Sequence, residues 1–205
     1  MTEIAAPNQS ALILVDIQND FCPGGSLAVP EGDRIIATVN RLCPLFQFVA
    51  ATQDWHPPNH ISFKAQGGPW PPHCVQGSFG AELHSGLDKS NIDLIDKKGF
   101  LPDKDVFEAM DASDPKGETL DAAIKNRGID TVYVAGLATD YCVRSTVLDA
   151  LAKRFTVYAV IDAMRAVNIN ADDGPKAIDE MAARGAHLVT SDQILGAKRR
   201  QSIAG

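Results

Sequence analysis

Cysteine is scarce in this sequence, and its few cysteines are irregularly spaced. The 205 residues contain four, at positions 22, 43, 74 and 142, and no two of them form a CxxC pair. A disulfide framework and a CxxC redox motif are therefore not indicated. Reduced thiols in the cytoplasm are expected, and the first seven residues agree, because they lack the basic start of a signal peptide.

Long apolar runs and an excess of positive charge are also absent. No stretch approaches the ~20 apolar residues that a transmembrane helix needs. The formal net charge is −7, which argues against a nucleic-acid-binding surface. Neither nucleic acid nor membrane is therefore expected as a partner, which leaves a small-molecule substrate, and a homo-oligomer stays open.

Apolar segments alternate with helical patterns along the chain. The predicted strands are 11–15, 46–52, 91–96, 131–135, 156–161 and 187–190, and the main predicted helices are 30–43, 119–127, 139–151 and 172–184, followed by a short one from Ser191. This alternation predicts a single three-layer α/β/α domain over residues 1–205, with a six-stranded, mainly parallel sheet. In a doubly wound order of 3-2-1-4-5-6, the first and fourth strands are neighbours.

Cys142 lies in a stretch that favours nucleophilic chemistry. The strand 131–135 is followed by Gly136, and Thr139 or Asp140 can cap the next helix. Cys142 would then lie in the first helical turn, where backbone N–H groups favour a thiolate and could hold an oxyanion. A small buried cysteine at a strand–helix junction is the simpler explanation, so this stretch alone does not establish whether Cys142 is a nucleophile or a structural residue.

Two charged residues follow other predicted strands. Asp16 ends the first strand, and Lys98 follows the third, just before Gly99. Asp16 is expected beside Cys142, where a carboxylate could accept the thiol proton and later deliver it to a leaving amine. The Lys98 ammonium would hold both groups in their working protonation states. A loop-capping role for Asp16 and a solvated turn for Lys98 are the alternatives.

The irregular loop at about 54–78 carries candidate metal ligands. They are Asp54, His56, His60 and His73, and residues 54 and 56 point the same way in an extended chain. Three histidines and one carboxylate suit Zn²⁺, Fe²⁺ or Mn²⁺ and leave coordination positions for water or substrate. Three unrelated surface histidines are the alternative.

Five motifs, taken in order, resemble those of nicotinamidases, the metal-dependent branch of the isochorismatase-like cysteine hydrolases. They are VDIQNDFCPGGSL at 15–27, TQDWHPPNH at 52–60, WPPHC at 70–74, KG at 98–99 and GLATDYCV at 136–143. The match extends from about residue 11 to 195. It implies an isochorismatase-like hydrolase fold and hydrolysis of nicotinamide to nicotinate and ammonia through a cysteine thioester, in NAD salvage. Cleavage of pyrazinamide is implied as well.

The resemblance also implies roles for individual residues. Asp16, Lys98 and Cys142 would be the catalytic residues, and the backbone N–H groups of Ala138 and Cys142 would form the oxyanion hole. A cis peptide bond is expected between Leu137 and Ala138.

The same resemblance implies a metal site and a substrate pocket. One divalent ion, zinc first and iron or manganese as alternatives, would be held by the four candidate ligands Asp54, His56, His60 and His73. Phe21 and Trp70 would flank the pyridine ring, because aromatic walls suit a flat substrate.

Two other functions stay open at this point. Another hydrolase of the superfamily, acting on isochorismate or on an N-carbamoyl amide, would lack this ligand set. A non-enzymatic thiol protein, whose metal ion only braces the long loop, would be supported by CxxC chemistry, which the sequence lacks.

Overall fold

A six-stranded parallel sheet forms the centre of the structure, a computed structural model that describes residues 4–110, 112 and 117–204, with 198–204 described by backbone only. The strands are β1 (Ala11–Val15), β2 (Phe48–Asp54), β3 (Leu94–Lys98), β4 (Thr131–Leu137), β5 (Thr156–Arg165) and β6 (His187–Val189). Their order is β3-β2-β1-β4-β5-β6, and every pairing is parallel. The predicted fold class and strand order are confirmed.

Helices and short turns fill the connections. The α-helices are α1 (Ile36–Leu42), α2 (Leu120–Lys125), α3 (Arg144–Ala152), α4 (Asp173–Ala183) and α5 (Ser191–Ala204). Short 3₁₀ turns occur at Pro7–Gln9, Asn19–Phe21, Gly32–Ile35, Cys43–Leu45, Lys64–Gln66, Phe79–Ala81 and Lys89–Asn91. Within the described part of the chain, no helix combines the length and the apolar character needed to cross a membrane.

Strand β1 shows why the sheet is covered on both faces. All five of its residues are buried. Leu12 and Leu14 belong to one apolar cluster, whereas Ile13 and Val15 belong to a second one. Because successive side chains of a strand point to opposite faces, the two clusters lie on the two sides of the sheet. The continuous apolar run that predicted this strand therefore follows from burial on both sides.

Several predicted boundaries were wrong. Strand β2 lies two residues later than predicted, β5 extends to Arg165, and the last helix, predicted to be short, has 14 residues. Glu31 has a φ of 56°, in the left-handed region, so the α-helix expected from residue 30 begins only at Ile36, after a 3₁₀ turn. The third strand begins at Leu94 instead of 91 because Lys89–Asn91 form a turn that the Asp88 side chain caps. Strand β3 ends at Lys98 instead of residue 96.

The turn before α3 also differs from the prediction. Neither Thr139 nor Asp140 caps it: the N-cap is Ala138, and Thr139–Val143 form a π-helical turn. The Asp140 carboxylate instead accepts hydrogen bonds from the N–H groups of Val167 and Asn168, each at 2.9 Å. Cys142 nevertheless lies in the first turn after β4, as predicted.

The central strand yields a stability prediction. Leu14→Ala removes a side chain that is fully buried, so we expect a loss of about 2–5 kcal/mol in the free energy of unfolding from lost burial and the remaining cavity. The matched control is Leu188→Ala on the edge strand β6, where the side chain is 39% exposed. Chemical denaturation measures both, and equal losses would contradict the assignment of β1 to the core.

Candidate active site

Lys98 connects three buried groups at the carboxyl edge of the sheet. Its Nζ lies 2.9 Å from Asp16 Oδ2 and 3.5 Å from Cys142 Sγ, and it donates a hydrogen bond to Asp54 Oδ1. One carboxylate oxygen of Asp16, one of Asp54 and the Cys142 sulfur all lie within 4.8 Å of one another. The structure therefore brings together the three residues predicted to be catalytic.

Strand register explains this meeting. Asp54 and Lys98 are the last residues of β2 and β3, and they are paired across the sheet. Val15 of β1 is paired with Gly136 of β4. A Cβ on Gly136 would come within 2.6 Å of the Val15 backbone nitrogen, so only glycine allows β4 to approach there. The chain then enters the π-helical turn that carries Cys142 back towards Asp16.

Lys97, the alternative to Lys98 in the sequence, has a different environment. Its Nζ lies 3.5 Å from the centre of the Trp55 ring, a cation–π contact. Lys98, by contrast, is 1% exposed. The two neighbouring lysines point to opposite faces of β3, and only Lys98 reaches the site.

Burial and charge together set the protonation of these groups. Burial raises the pKa of Cys142 well above its usual value, although Lys98 opposes the shift. Burial also raises the pKa of Asp16. Burial opposes the charge of Lys98, but Asp16 and Asp54 outweigh it and raise the pKa of the lysine. Desolvation therefore works against the thiolate expected from the helical turn, whereas the Lys98 ammonium favours it, and the thiolate stays a prediction.

A second group of polar atoms adjoins the first. Ligand atoms of Asp54, His56 and His73 lie within 4.8 Å of one another, and all three residues are buried. His56 Nδ1 is hydrogen-bonded to the Gly99 carbonyl at 2.9 Å, and His73 Nδ1 to the Pro71 carbonyl at 2.8 Å. Because these bonds occupy both Nδ1 atoms, the Nε2 atom of each ring is the one that could bind a metal ion. Two imidazole nitrogens and a carboxylate oxygen fit a divalent ion with open coordination positions.

His60 lies beside this group but is not brought into it. Its ring stacks on His56 with centroids 4.1 Å apart. Its Nδ1 is bonded to Ser62 Oγ at 2.7 Å and its Nε2 to the Lys104 carbonyl at 3.1 Å. To become a ligand, His60 would have to exchange one of these partners for the ion. Its predicted role as a ligand stays a prediction.

An apolar pocket opens over Cys142. Phe21 and Trp70, the two predicted aromatic walls, both line it. Ala138 lines it beside Cys142, and the peptide bond between Leu137 and Ala138 is cis, as predicted. Further walls come from Leu27, Val29, Phe107, Tyr141 and Val167.

Comparisons with known proteins agree with this geometry. A family model described as the isochorismatase domain matches residues 10–193. This chain belongs to the isochorismatase family. The nicotinamidase of Acinetobacter baylyi is 43% identical over 205 residues, covering 92% of this chain and 95% of the relative.

Solved structures of this family resemble the chain closely. The pyrazinamidase of Pyrococcus horikoshii in complex with zinc has a TM-score of 0.80 and 42% identity, covering 89% of this chain and 99% of that one. PnC1 from L. infantum in complex with nicotinate has a TM-score of 0.84 and 38% identity, covering 90% and 94%. The isochorismatase-like hydrolase fold is confirmed.

Two buried polar residues of this isochorismatase-family chain were missed by sequence reasoning. Thr52 Oγ1 donates a 2.8 Å hydrogen bond to Asp16 Oδ1. The Gln18 amide group donates to the Asp54 carbonyl and accepts from the Asp54 N–H, each at 2.8 Å. Both residues lie inside the motifs that carried the resemblance, and polar side chains beside a buried strand were the signal that could have found them.

Removing the buried cation should destabilise the fold. Lys98→Met leaves Asp16 and Asp54 without their shared partner, and we expect a loss of about 3–5 kcal/mol in unfolding free energy. Lys97→Met is the matched control, and losing its cation–π contact should cost no more than about 1 kcal/mol. Denaturant titration of both variants checks this. Similar losses in the two would mean that Lys98 does not compensate the carboxylates.

Proposed function

We propose that this protein is a nicotinamidase, which hydrolyses nicotinamide to nicotinate and ammonia in NAD salvage and also cleaves pyrazinamide. One observation carries the proposal: the Cys142 sulfur lies within 4.8 Å of an Asp16 carboxylate oxygen, under a pocket with aromatic walls. The 43% identity to a nicotinamidase supports the same substrate class.

The first half of the reaction forms a thioester. Asp16 accepts the thiol proton of Cys142, and the sulfur attacks the amide carbon of the substrate. The carbonyl oxygen becomes an oxyanion, which the backbone N–H groups of Ala138 and Cys142 would stabilise. When the tetrahedral intermediate collapses, the C–N bond breaks, and Asp16 returns its proton to the leaving nitrogen, which departs as ammonia.

The second half restores the thiol. Asp16, again a carboxylate, accepts a proton from a water molecule whose oxygen attacks the thioester carbon. The C–S bond breaks, the sulfur regains the proton from Asp16, and the nicotinic acid that forms loses its remaining proton to solvent as nicotinate. Lys98, bonded to Asp16 and close to the sulfur, stabilises the negative charge that passes between these two residues.

We propose Asp54, His56 and His73 as ligands of one divalent metal ion, with zinc first and iron or manganese as alternatives. A bound ion there would supply a Lewis-acid contact that orients the pyridine nitrogen of the substrate. The zinc in the pyrazinamidase of Pyrococcus horikoshii supports the choice. Phe21 and Trp70 would hold the flat ring from its sides.

We also propose that residues 1–205 work as one domain in the cytoplasm. The four cysteines, all free and buried, support a reducing compartment. The proposed partner is the small-molecule substrate, without nucleic acid or membrane, and a homo-oligomer stays open.

The nucleophile can be tested by ammonia release from nicotinamide. Cys142→Ala should lower turnover by roughly 10⁴-fold or more, because no other group replaces the attacking sulfur. The matched control is Cys43→Ala: this thiol is buried outside the site, and burial raises its pKa to about 12. The control should keep wild-type turnover. Ammonia release at the wild-type rate from Cys142→Ala would rule out the mechanism.

A comparison of substrates separates the rival hydrolases. Wild-type protein is offered nicotinamide, pyrazinamide and an N-carbamoyl amide, with ammonia release as the readout, and isochorismate, with pyruvate formation as the readout. Turnover of isochorismate or the N-carbamoyl amide without turnover of nicotinamide would overturn the proposed substrate but would leave the assignment to the isochorismatase family unchanged.

The metal site can be tested by elemental analysis of purified protein. His73→Ala should lower bound metal at a fixed free concentration, with affinity reduced by at least about tenfold. His84→Ala is the control, because His84 Nδ1 accepts a hydrogen bond from the Gly86 N–H outside the site. Unchanged metal content in His73→Ala would remove His73 from the ligand set.

His60→Ala decides between three and four protein ligands. If His60 is a ligand, as the sequence predicts, its loss lowers metal content as His73→Ala does. If its two protein hydrogen bonds persist in the metal-bound protein, metal content stays at the wild-type level.

A further inference from the structure

Val167 is a pocket wall that comes from a connecting segment, and it lines the pocket together with Cys142. It lies between the end of β5 at Arg165 and the start of α4 at Asp173. Val167 is half-buried, and the next residue, Asn168, is exposed. The position of this wall therefore depends on the contacts that hold the segment 166–172.

Asp140 makes two of these contacts. Its Oδ1 accepts a hydrogen bond from the Val167 N–H and its Oδ2 one from the Asn168 N–H, both at 2.9 Å. Hydrogen bonds to a carboxylate are stronger than those between neutral groups. Asp140 lies in the π-helical turn that carries Cys142. One turn therefore supports both the nucleophile and the opposing wall segment.

Helix α4 holds the same segment from its other side. The Asn168 side-chain oxygen accepts a 2.8 Å hydrogen bond from the Gly174 N–H. A Cβ on Gly174 would lie 2.7 Å from the Ala166 Cβ, so the absence of a side chain there lets the helix approach. Asn168 has a φ of 53°, a conformation that asparagine tolerates better than most residues. Asn168 and Gly174 are therefore residue types that suit a segment 166–172 held in one conformation.

We propose that Asp140 is a positioning residue that selects the substrate by holding Val167 as a pocket wall. The inference rests on the proposed nicotinamidase function. Asp140 does not touch the reacting atoms in this arrangement; it acts through the backbone of Val167 and Asn168. Loss of the carboxylate should loosen the wall, which weakens binding of nicotinamide and admits larger rings, while the chemistry at Cys142 continues.

Steady-state kinetics of Asp140→Ala test this role. We expect KM for nicotinamide to rise about tenfold while kcat stays within about threefold, because binding geometry is lost but the reacting groups remain. Relative kcat/KM for at least one ring-methylated nicotinamide should rise about tenfold over nicotinamide. The KM and the selectivity of Asp140→Asn, whose amide oxygen can accept a hydrogen bond from one of the two N–H groups, should lie between those of wild type and Asp140→Ala. Asp179→Ala, on the exposed face of α4, is the matched control and should behave as wild type.

Val167→Ala keeps the proposal testable if Asp140→Ala does not fold. This variant retains both backbone N–H groups and the Asp140 carboxylate, so it should fold normally and still show the change in selectivity towards a methylated ring. Amide hydrogen exchange gives a readout independent of activity: the Val167 and Asn168 amides should exchange faster in Asp140→Asn than in Asp179→Ala.

Several results would overturn the proposal. A fall in kcat with unchanged KM in Asp140→Asn would place its effect on the nucleophile, and unchanged selectivity in Val167→Ala would remove Val167 as a selecting wall. Unchanged exchange of the two amides would show that the carboxylate does not hold them. If the wild-type protein releases no ammonia from nicotinamide, the nicotinamidase proposal fails, and amide exchange then decides separately whether Asp140 holds the wall.

Discussion

The site depends on one buried ammonium group between two carboxylates. Lys98 is 1% exposed, and its Nζ contacts both Asp16 and Asp54. Each of these charges would be costly to bury alone, and removal of the lysine would leave two carboxylates facing each other. One positive charge against two negative ones leaves an excess negative charge. The site can balance this excess with a proton on Asp16 or with a cation near Asp54.

The two carboxylates consequently have different roles. Burial raises the pKa of Asp16, so this residue can gain and lose a proton. Burial opposes ionisation of Asp54 as well, but Lys98 and His56 outweigh it and lower the pKa. An ionised Asp54 beside two imidazoles suits a cation. Neighbouring charges and desolvation thus shift the pKa values of Asp16, the proposed proton carrier, and Asp54, the proposed metal ligand, in opposite directions, which is a common way to divide roles between paired acids.

Sequence reasoning succeeded where chemistry follows the ends of parallel strands. Alternating strands and helices predicted the sheet order, and the order places Asp16, Asp54 and Lys98 at one edge. Sequence reasoning failed where a contact between residues far apart in the chain determines the role of a side chain. Asp140 looked like a helix cap because acids favour helix starts, but its hydrogen-bond partners lie at Val167 and Asn168. The sequence separation of 27 and 28 residues hides that pairing. Burial of Cys142 raises the pKa of its thiol and so works against the expected thiolate, and this burial could not be inferred from residue spacing.

The residues of the pocket wall are positioned by different elements from those that position the charged groups. Asp54 and Lys98 are fixed by register within the sheet, whereas Phe107 and Val167 come from connecting segments, and Tyr141 comes from the turn. Trp70 and Tyr141 meet edge to face, with ring centroids 5.2 Å apart, so side chains from distant loops support one another. Changes in these segments can alter which ring enters the pocket without moving the proton carrier or the sulfur. Strand ends thus carry the charged groups, whereas connecting segments carry most of the pocket wall, and this arrangement lets loop changes alter the ligand that fits while the strands keep the charged groups in place.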